Sequence, residues 1–263
     1  MVPLRLAVSS QCLSQPIRKA IRAAVEIGAK GIQFDVRNEL RSSDLSDSGR
    51  RQLLHELELD GINIASLLLP TRRSFYDLQQ LEDRVSAVKQ ALDFAYQLRV
   101  PYVVARVGAI PNDPDSAEYK LLVEVLNDIA RHSNRVGATL AVTPTRDSAA
   151  DLKTLLGRIQ NGLVGLNFDP AVFAMNGRDA VAAFRELHSH VLHITARDGL
   201  RDIDGSGQET ALGRGEVDWL EMLALCEQAE YRGWLTVDRT AGDDKPGDAA
   251  RAIQFLQNVT QGG

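Results

Sequence analysis

Short apolar runs recur eight times along the 263-residue chain, and each is followed by a stretch with apolar residues at helical spacing. The first run covers residues 4–8 and the last covers residues 234–237. Strands that alternate with helices pair in parallel through right-handed crossovers. Eight strand–helix units in roughly 250 residues match the size of a (β/α)8 barrel. Because no linker interrupts the alternation, the sequence predicts one TIM-barrel domain over residues 1–263.

A doubly wound open sheet is the main alternative for a chain with this pattern. That fold places a glycine-rich turn after its first strand, where the backbone approaches a phosphate. Here Ser9, Ser10, Gln11 and Cys12 follow the first apolar run. The residues at this turn therefore favour the closed barrel.

The composition argues against several classes of partner. The net charge is −5, so the chain has no global basic field that would attract nucleic acid or an anionic membrane. Residues 1–9 lack the long apolar segment of a secretory signal. Cys12 and Cys226 lie far apart and indicate neither a disulfide framework nor a zinc site. We therefore expect a cytoplasmic protein with no nucleic-acid partner and no membrane partner.

Polar residues follow the apolar runs, at the strand ends where TIM barrels place their chemistry. Arginines follow six of the eight runs, and their planar charged groups suit carboxylate or phosphate. The sequence therefore predicts a small anionic ligand rich in hydroxyls. The alternative is that these arginines pair with neighbouring carboxylates or lie in solvent. The predicted substrate-binding residues are Gln33, Asp35, Arg37, Arg72, Arg106, Thr143, Arg146, Asn167, Thr195, Arg197 and Arg201.

Asp169 and Asp238 are the carboxylates that end the sixth and eighth runs. Each is a candidate for proton transfer or for binding a metal ion. The alternative is an ion pair with Arg197 or Arg239. His193 faces the same way as Thr195 but lies deeper, which is typical of a hydrogen-bonded core histidine.

Five segments, in their order and spacing, resemble the xylose isomerase-like TIM barrels of the sugar phosphate isomerase/epimerase superfamily. The most specific is the Gly-x-Gly-x-Val-Asp-Trp sequence at residues 213–219. The other four segments are residues 31–33, 164–171, 193–198 and 233–238. The resemblance covers nearly the whole chain and implies the same barrel fold.

The resemblance also implies a divalent metal (Mn, Mg, Co or Zn) held by Glu, Asp, His and Glu at four strand ends. Those positions here are Thr143, Asp169, Thr195 and Asp238. Asp169 is retained, Asp238 is one methylene shorter than the expected Glu, and the two hydroxyls are poor ligands for such an ion. The sequence therefore predicts a degenerate metal site and no cofactor, with the guanidinium of Arg106 near the place of the metal. If a metal binds at all, Asp169 and Asp238 are the expected ligands.

These observations predict an isomerase or epimerase that acts on a small anionic sugar-like molecule without the usual metal. Asp169 or Asp238 would then transfer the proton. The alternative is a non-catalytic member of the same fold that binds a carbohydrate or a protein partner. The loop at residues 199–212 is interpreted either as a mobile lid or as a plain surface loop. The sequence leaves open whether the protein forms a homo-oligomer.

Overall fold

Eight parallel strands close into a barrel in the computed structural model, which describes residues 4–261. The prediction that residues 1–9 form no secretory signal falls partly outside this range, because residues 1–3 are not described. The strands are β1 (Arg5–Ser9), β2 (Gly31–Asp35), β3 (Asn63–Leu68), β4 (Tyr102–Arg106), β5 (Thr139–Thr143), β6 (Val164–Phe168), β7 (Val191–Ala196), β8 (Asp198–Arg201), β9 (Gly207–Thr210) and β10 (Trp234–Val237). Strands β8 and β9 form a separate hairpin, so β10 is the eighth strand of the barrel.

Helices cover the outside of the barrel, and the predicted (β/α)8 fold is confirmed. Closure occurs where β1 pairs in parallel with both β2 and β10. The helices are α1 (Ser10–Leu13), α2 (Ile17–Glu26), α3 (Asp47–Leu59), α4 (Leu81–Gln97), α5 (Ala117–Val136), α6 (Ala149–Gly157), α7 (Pro170–Met175), α8 (Ala180–Leu187), α9 (Trp219–Gln228) and α10 (Lys245–Gln261).

Serines set the start of three of these helices. The side chains of Ser46, Ser116 and Ser148 each accept a hydrogen bond from a backbone N–H in the first turn. Such a cap satisfies a donor that has no partner inside the helix. The carboxylate of Asp151 in turn accepts a hydrogen bond from the backbone N–H of Ser148, which completes a capping box.

Strand β10 shows how the interior of the barrel is layered, because alternate residues of a strand face the same way. Trp234 packs with Ala7 and Ala65 in an apolar cluster at the base. Thr236 is fully buried in a polar middle layer, and Asp238 lies at the mouth. A Cβ at Gly31 would lie 2.7 Å from the ring of Trp234, so only glycine leaves room for the indole at this position.

The segment predicted as a lid or a plain loop is largely a hairpin, since β8 and β9 pair in antiparallel register. The carboxylate of Asp198 accepts hydrogen bonds from the backbone of Gly199 and Gly213, at the two ends of this excursion. It also accepts bonds from the Val217 N–H and the Trp219 indole. Asp198 therefore fixes the base of the hairpin to the segment that precedes α9. Within residues 4–261, no helix has the length and apolar character that crossing a membrane requires.

Candidate functional site

A cavity of about 280 Å³ opens at the carboxyl ends of the barrel strands. Strand direction explains its polar lining, since all eight barrel strands end at this face and polar residues at or just beyond several of these ends line the cavity. Of the thirteen residues predicted for the site, the structure brings eight together around this cavity. They are Gln33, Arg106, Thr143, Asn167, Asp169, Thr195, Arg197 and Asp238.

A buried ion pair joins the ends of β6 and β7. The Nη1 of Arg197 donates to Asp169 Oδ2 over 2.8 Å, and the two side chains are 7% and 1% exposed. Burial lowers the pKa of Arg197, but the charges of Asp169, Glu209 and Asp238 outweigh it and raise that pKa above its ordinary value. Asp169 Oδ1 and Arg197 Nε have no hydrogen-bond partner within the described chain. Arg197, rather than Arg106, is therefore the cation that neutralises Asp169.

Glu209 brings a further carboxylate to the site from the hairpin. It pairs with Arg197 and with Arg239, whose Nη1 lies 3.0 Å from Glu209 Oε1. Burial raises the pKa of Glu209, but the adjacent Arg197 and the hydrogen bonds from Thr240 lower it by more than burial raises it. The pKa of Glu209 is therefore below its ordinary value. Arg239 also pairs with Asp248 in α10. Glu209 is therefore an ionised carboxylate shared by two guanidinium groups.

Asp238 differs from these carboxylates because it makes no ion pair within residues 4–261 and lines the cavity. Desolvation raises its pKa above the ordinary value, against the lowering effects of Arg197 and of the Cys12 hydrogen bond. The Cys12 Sγ lies 3.3 Å from Asp238 Oδ1 and accepts the N–H of Arg239. Burial raises the pKa of Cys12 well above its usual range, so the thiol keeps its proton and donates a hydrogen bond to Asp238.

A polar network lies directly beneath the cavity and centres on His193, which is fully buried. Its Nδ1 lies 2.6 Å from Asn167 Oδ1, and its Nε2 lies 2.8 Å from Thr236 Oγ1 and 3.0 Å from Ser66 Oγ. Asn167 Oδ1 also accepts the hydroxyl of Thr195, so Nδ1 carries the imidazole proton. Burial lowers the pKa of His193 to about 3. The structure thus places His193 in the core as a neutral hydrogen-bonded residue, as predicted.

Arg106 lines the same cavity but is exposed, and its side chain makes no hydrogen bond or ion pair with residues 4–261. Its carbonyl oxygen accepts the hydroxyl of Thr71. Two of the arginines at the strand ends, Arg197 and Arg239, are committed to carboxylates. Arg106 is therefore the guanidinium of the cavity lining that is free to meet a ligand.

Five predicted site residues lie outside the cavity lining. Asp35 is buried and accepts hydrogen bonds from the Gln11 side chain, the Arg37 N–H, and the backbone and side chain of Asn38. It holds the turn that carries Gln11 and Asn38, both of which line the cavity. The other four are exposed arginines at Arg37, Arg72, Arg146 and Arg201.

Sequence reasoning missed several residues at this face. Gln11, Asn38, Thr71 and Thr240 line the cavity, and Glu209 contacts two of the site arginines. Gln11 follows the polar end of β1, so its position along the chain was a usable signal. Glu209 had no such signal, because it lies twelve residues beyond Arg197 on a strand that belongs to no barrel repeat.

The four positions that correspond to metal ligands carry two hydroxyls. Thr143 accepts the amide of Asn167 over 2.8 Å, and Thr195 donates to Asn167 Oδ1 over 3.0 Å. Asp169 is already held by Arg197. Between residues 4 and 261, no three His, Cys, Asp or Glu side chains are grouped so that they could hold a metal ion. This set of donors does not fit the ion that such positions hold in the family.

Comparison with known proteins assigns the family. The model of the xylose isomerase-like TIM barrel family matches residues 21–259. The sequence of the chain matches that of no curated protein.

Solved structures share the fold at low sequence identity. A xylose isomerase domain protein from Planctomyces limnophilus superimposes with a TM-score of 0.85 at 20% identity, covering 99% of this chain and 98% of that one. A xylose isomerase-like TIM barrel protein from Mycobacterium smegmatis, in complex with magnesium, gives 0.74 at 18% identity over 93% and 88% of the chains. A 3-keto-D-glucoside 4-epimerase from E. coli gives 0.75 at 11% identity over 97% and 100%. The chain therefore belongs to the xylose isomerase-like TIM barrel family, as its sequence motifs predict.

Proposed function

We propose that the protein is an isomerase or epimerase that acts on a small anionic sugar-like molecule at the carboxyl-end cavity, without a divalent metal. The observation that carries this proposal is Asp238, a half-buried carboxylate at the cavity with a raised pKa and no ion pair to any residue between 4 and 261. A carboxylate in a cleft whose pKa is shifted by desolvation and by a neighbouring charge is a candidate for proton transfer. Cavity residues Gln33, Asn167 and Thr195 supply amide and hydroxyl groups suited to sugar hydroxyls.

The chemistry is the removal and return of a proton on the carbon next to a carbonyl. The C–H bond breaks, its proton passes to the carboxylate of Asp238, and the electron pair moves into an enediolate. A carboxylate with a raised pKa is a stronger base than an ordinary one. The positive charges of Arg197 and Arg106 stabilise the negative oxygen of the enediolate. A proton supplied by water to the opposite face of the same carbon gives an epimer, and Asp238 then releases the abstracted proton to solvent. Return of the proton from Asp238 to the adjacent carbon, with the hydroxyl proton passing from one enediol oxygen to the other, gives an isomer.

The side chains at the positions that correspond to metal ligands support a mechanism without a divalent metal. Arg197 places a fixed positive charge against Asp169, which a divalent ion would otherwise bind. Thr143 and Thr195 offer neutral oxygens that Asn167 already engages. The magnesium complex of the M. smegmatis neighbour makes direct metal analysis the necessary check.

Proton exchange with solvent tests the activity. We expect the wild type to incorporate deuterium from D2O into aldose phosphates, ketose phosphates or sugar acids, with EDTA present, as followed by proton NMR. Asp238→Asn is expected to reduce this exchange at least 100-fold. Asp93→Asn is the matched control, since Asp93 pairs with His132 on the helical surface away from the cavity. Equal exchange by wild type and Asp238→Asn would refute the assignment of Asp238.

The pH dependence of the deuterium exchange rate distinguishes proton transfer by Asp238 from a purely structural role of this residue. The Cys12 hydrogen bond lowers the pKa of Asp238, so Cys12→Ala should shift the acidic limb of the exchange rate to higher pH. Metal is tested by elemental analysis of the purified protein. Stoichiometric Mn, Mg, Co or Zn that disappears in Asp169→Asn would overturn the metal-free proposal.

A second candidate is a non-catalytic protein that binds a carbohydrate or a protein partner. The buried pair between Asp169 and Arg197 favours it, because a carboxylate bound in this way is a poor base. Saturable binding of sugar acids or sugar phosphates without any deuterium exchange would favour this reading. A cytoplasmic location remains a prediction, which cell fractionation can test, and light scattering would determine whether the protein forms a homo-oligomer.

A further inference from the structure

The carboxylate of Glu209 is surrounded by hydrogen-bond donors. It accepts hydrogen bonds from Arg197 Nη2 and from Thr240 Oγ1. Arg239 Nη1 donates over 3.0 Å, and the backbone N–H groups of Thr240 and Ala241 donate over 2.9 and 3.5 Å. We call Arg197, Arg239, Thr240 and Ala241 the Glu209 subsite.

The composition of the Glu209 subsite is that of an anion receptor. Two guanidinium groups, a hydroxyl and two consecutive backbone N–H groups converge on one pair of oxygens, and such charge-assisted bonds suit carboxylate and phosphate alike. It lies between the ends of the seventh and eighth barrel strands. In TIM barrels, the loops at that location frequently bind phosphate. Here a carboxylate of the chain itself occupies the subsite, with its side chain 6% exposed.

The Glu209 subsite adjoins the candidate active site. Arg197 and Thr240 contact Glu209 and also line the cavity. Glu209 itself belongs to the hairpin, whose strands β8 and β9 pair with each other and with no barrel strand of the described chain. Moving the Glu209 side chain out of the subsite therefore requires no barrel strand to unpair.

We propose that Glu209 is an internal occupant of an anion-binding subsite, and that the phosphate or carboxylate group of a ligand in the cavity takes its place. This inference rests on the proposed function for the anionic, sugar-like character of the ligand. It adds the location of the anionic group, which lies against Arg197, Arg239 and Thr240. It also predicts that ligand binding frees the Glu209 side chain from the subsite.

Inorganic phosphate is the probe that tests the subsite without a substrate. Isothermal titration and thermal shift are measured on wild type, Glu209→Ala and Glu209→Gln. We expect both variants to bind phosphate at least 10-fold more tightly than wild type, because neither presents a competing charge. Glu209→Gln keeps the shape of the side chain, so it carries the test if Glu209→Ala fails to fold. Acetate in place of phosphate distinguishes a carboxylate subsite from a phosphate subsite, and glycerol is the uncharged control.

Two further variants make the test specific. Glu221→Ala also releases an arginine from a carboxylate, the exposed Arg185, and is expected to leave phosphate affinity at the wild-type value. Adding Arg239→Ala to Glu209→Gln should return phosphate affinity to the wild-type value. The proposal is overturned if neither Glu209 variant binds phosphate or acetate more tightly than wild type, or if the gain survives Arg239→Ala.

The outcome is separable from the test of catalysis. Phosphate binding by the Glu209 variants without deuterium exchange in the wild type would retain the subsite and reject the isomerase or epimerase. Deuterium exchange that depends on Asp238, together with unchanged phosphate affinity, would retain the enzyme and reject the subsite.

Discussion

His193 should make the stability of this protein sensitive to mild acid. Burial lowers the pKa of its imidazole from 6.5 to about 3 in the folded protein. The unfolded chain therefore binds a proton as the pH falls below about 6.5, whereas the folded protein does not until about 3. His193 thus contributes stability that is fully present above pH 6.5 and is lost as the pH falls toward 3.

The dependence of the free energy of unfolding on pH follows from the binding of one proton per unfolded molecule. Each pH unit between these two values changes the free energy of unfolding by about 1.4 kcal/mol. From pH 6.5 to pH 4.5 the loss due to His193 is therefore about 2–3 kcal/mol. That is a large share of the stability of a typical domain, which is about 5–15 kcal/mol.

Urea unfolding at a series of pH values measures this loss. His193→Gln removes the titrating group, so the difference in unfolding free energy between wild type and variant should shrink by about 1.4 kcal/mol per pH unit below 6.5. Thr236→Val is the matched control, because it removes a hydrogen bond to His193 but retains the imidazole. It should lower stability at every pH while keeping the wild-type slope. Parallel curves for wild type and His193→Gln would show that the imidazole is not excluded from water as described.

Two further predictions concern the stability that the buried ion pair contributes and the effect of adding a Cβ at two glycines. Arg197→Met leaves Asp169 without its buried partner and should cost about 3–5 kcal/mol in chemical denaturation. Arg185→Met breaks an exposed pair and should cost less than about 1 kcal/mol, and equal losses would contradict the description of the buried pair. A Cβ at Gly215 would lie 2.2 Å from a carboxylate oxygen and 2.5 Å from a backbone carbonyl, so Gly215→Ala should lower stability by about 1–3 kcal/mol. A Cβ at Gly157 in α6 would have no neighbouring atom within 4 Å, so Gly157→Ala should raise stability by up to about 1 kcal/mol. A loss of stability at both glycines would refute the steric argument.

The order of strands and helices could be predicted from the sequence because periodicity is a local property. Apolar runs of four to six residues with helical stretches between them leave few topologies, since parallel pairing requires right-handed crossovers. The alternation of side chains along a strand also predicted that Thr195 and Asp238 face the mouth, and the structure places both at the cavity. The depth of His193 follows from the same rule.

The pairing of charges at the mouth was decided by the tertiary structure. The sequence offered an ion pair of Asp169 with Arg197 as an alternative, and the structure contains that pair. It gave no signal that Arg197 and Arg239 would both bind Glu209, or that Arg239 would bind Asp248. These partners lie on different elements, and their distances depend on how the barrel closes.

The loops were the least predictable part for the same reason. Position after a strand brings a residue to the correct face, but the course of the loop decides whether its side chain turns inward. Asn38 and Thr240 line the cavity, whereas Arg72 and Arg146 are exposed outside it. The sequence by itself thus determined the barrel and the face of its candidate site. Only the folded chain decided which arginines remain free for a ligand, because ion pairing is a contact between residues distant in sequence.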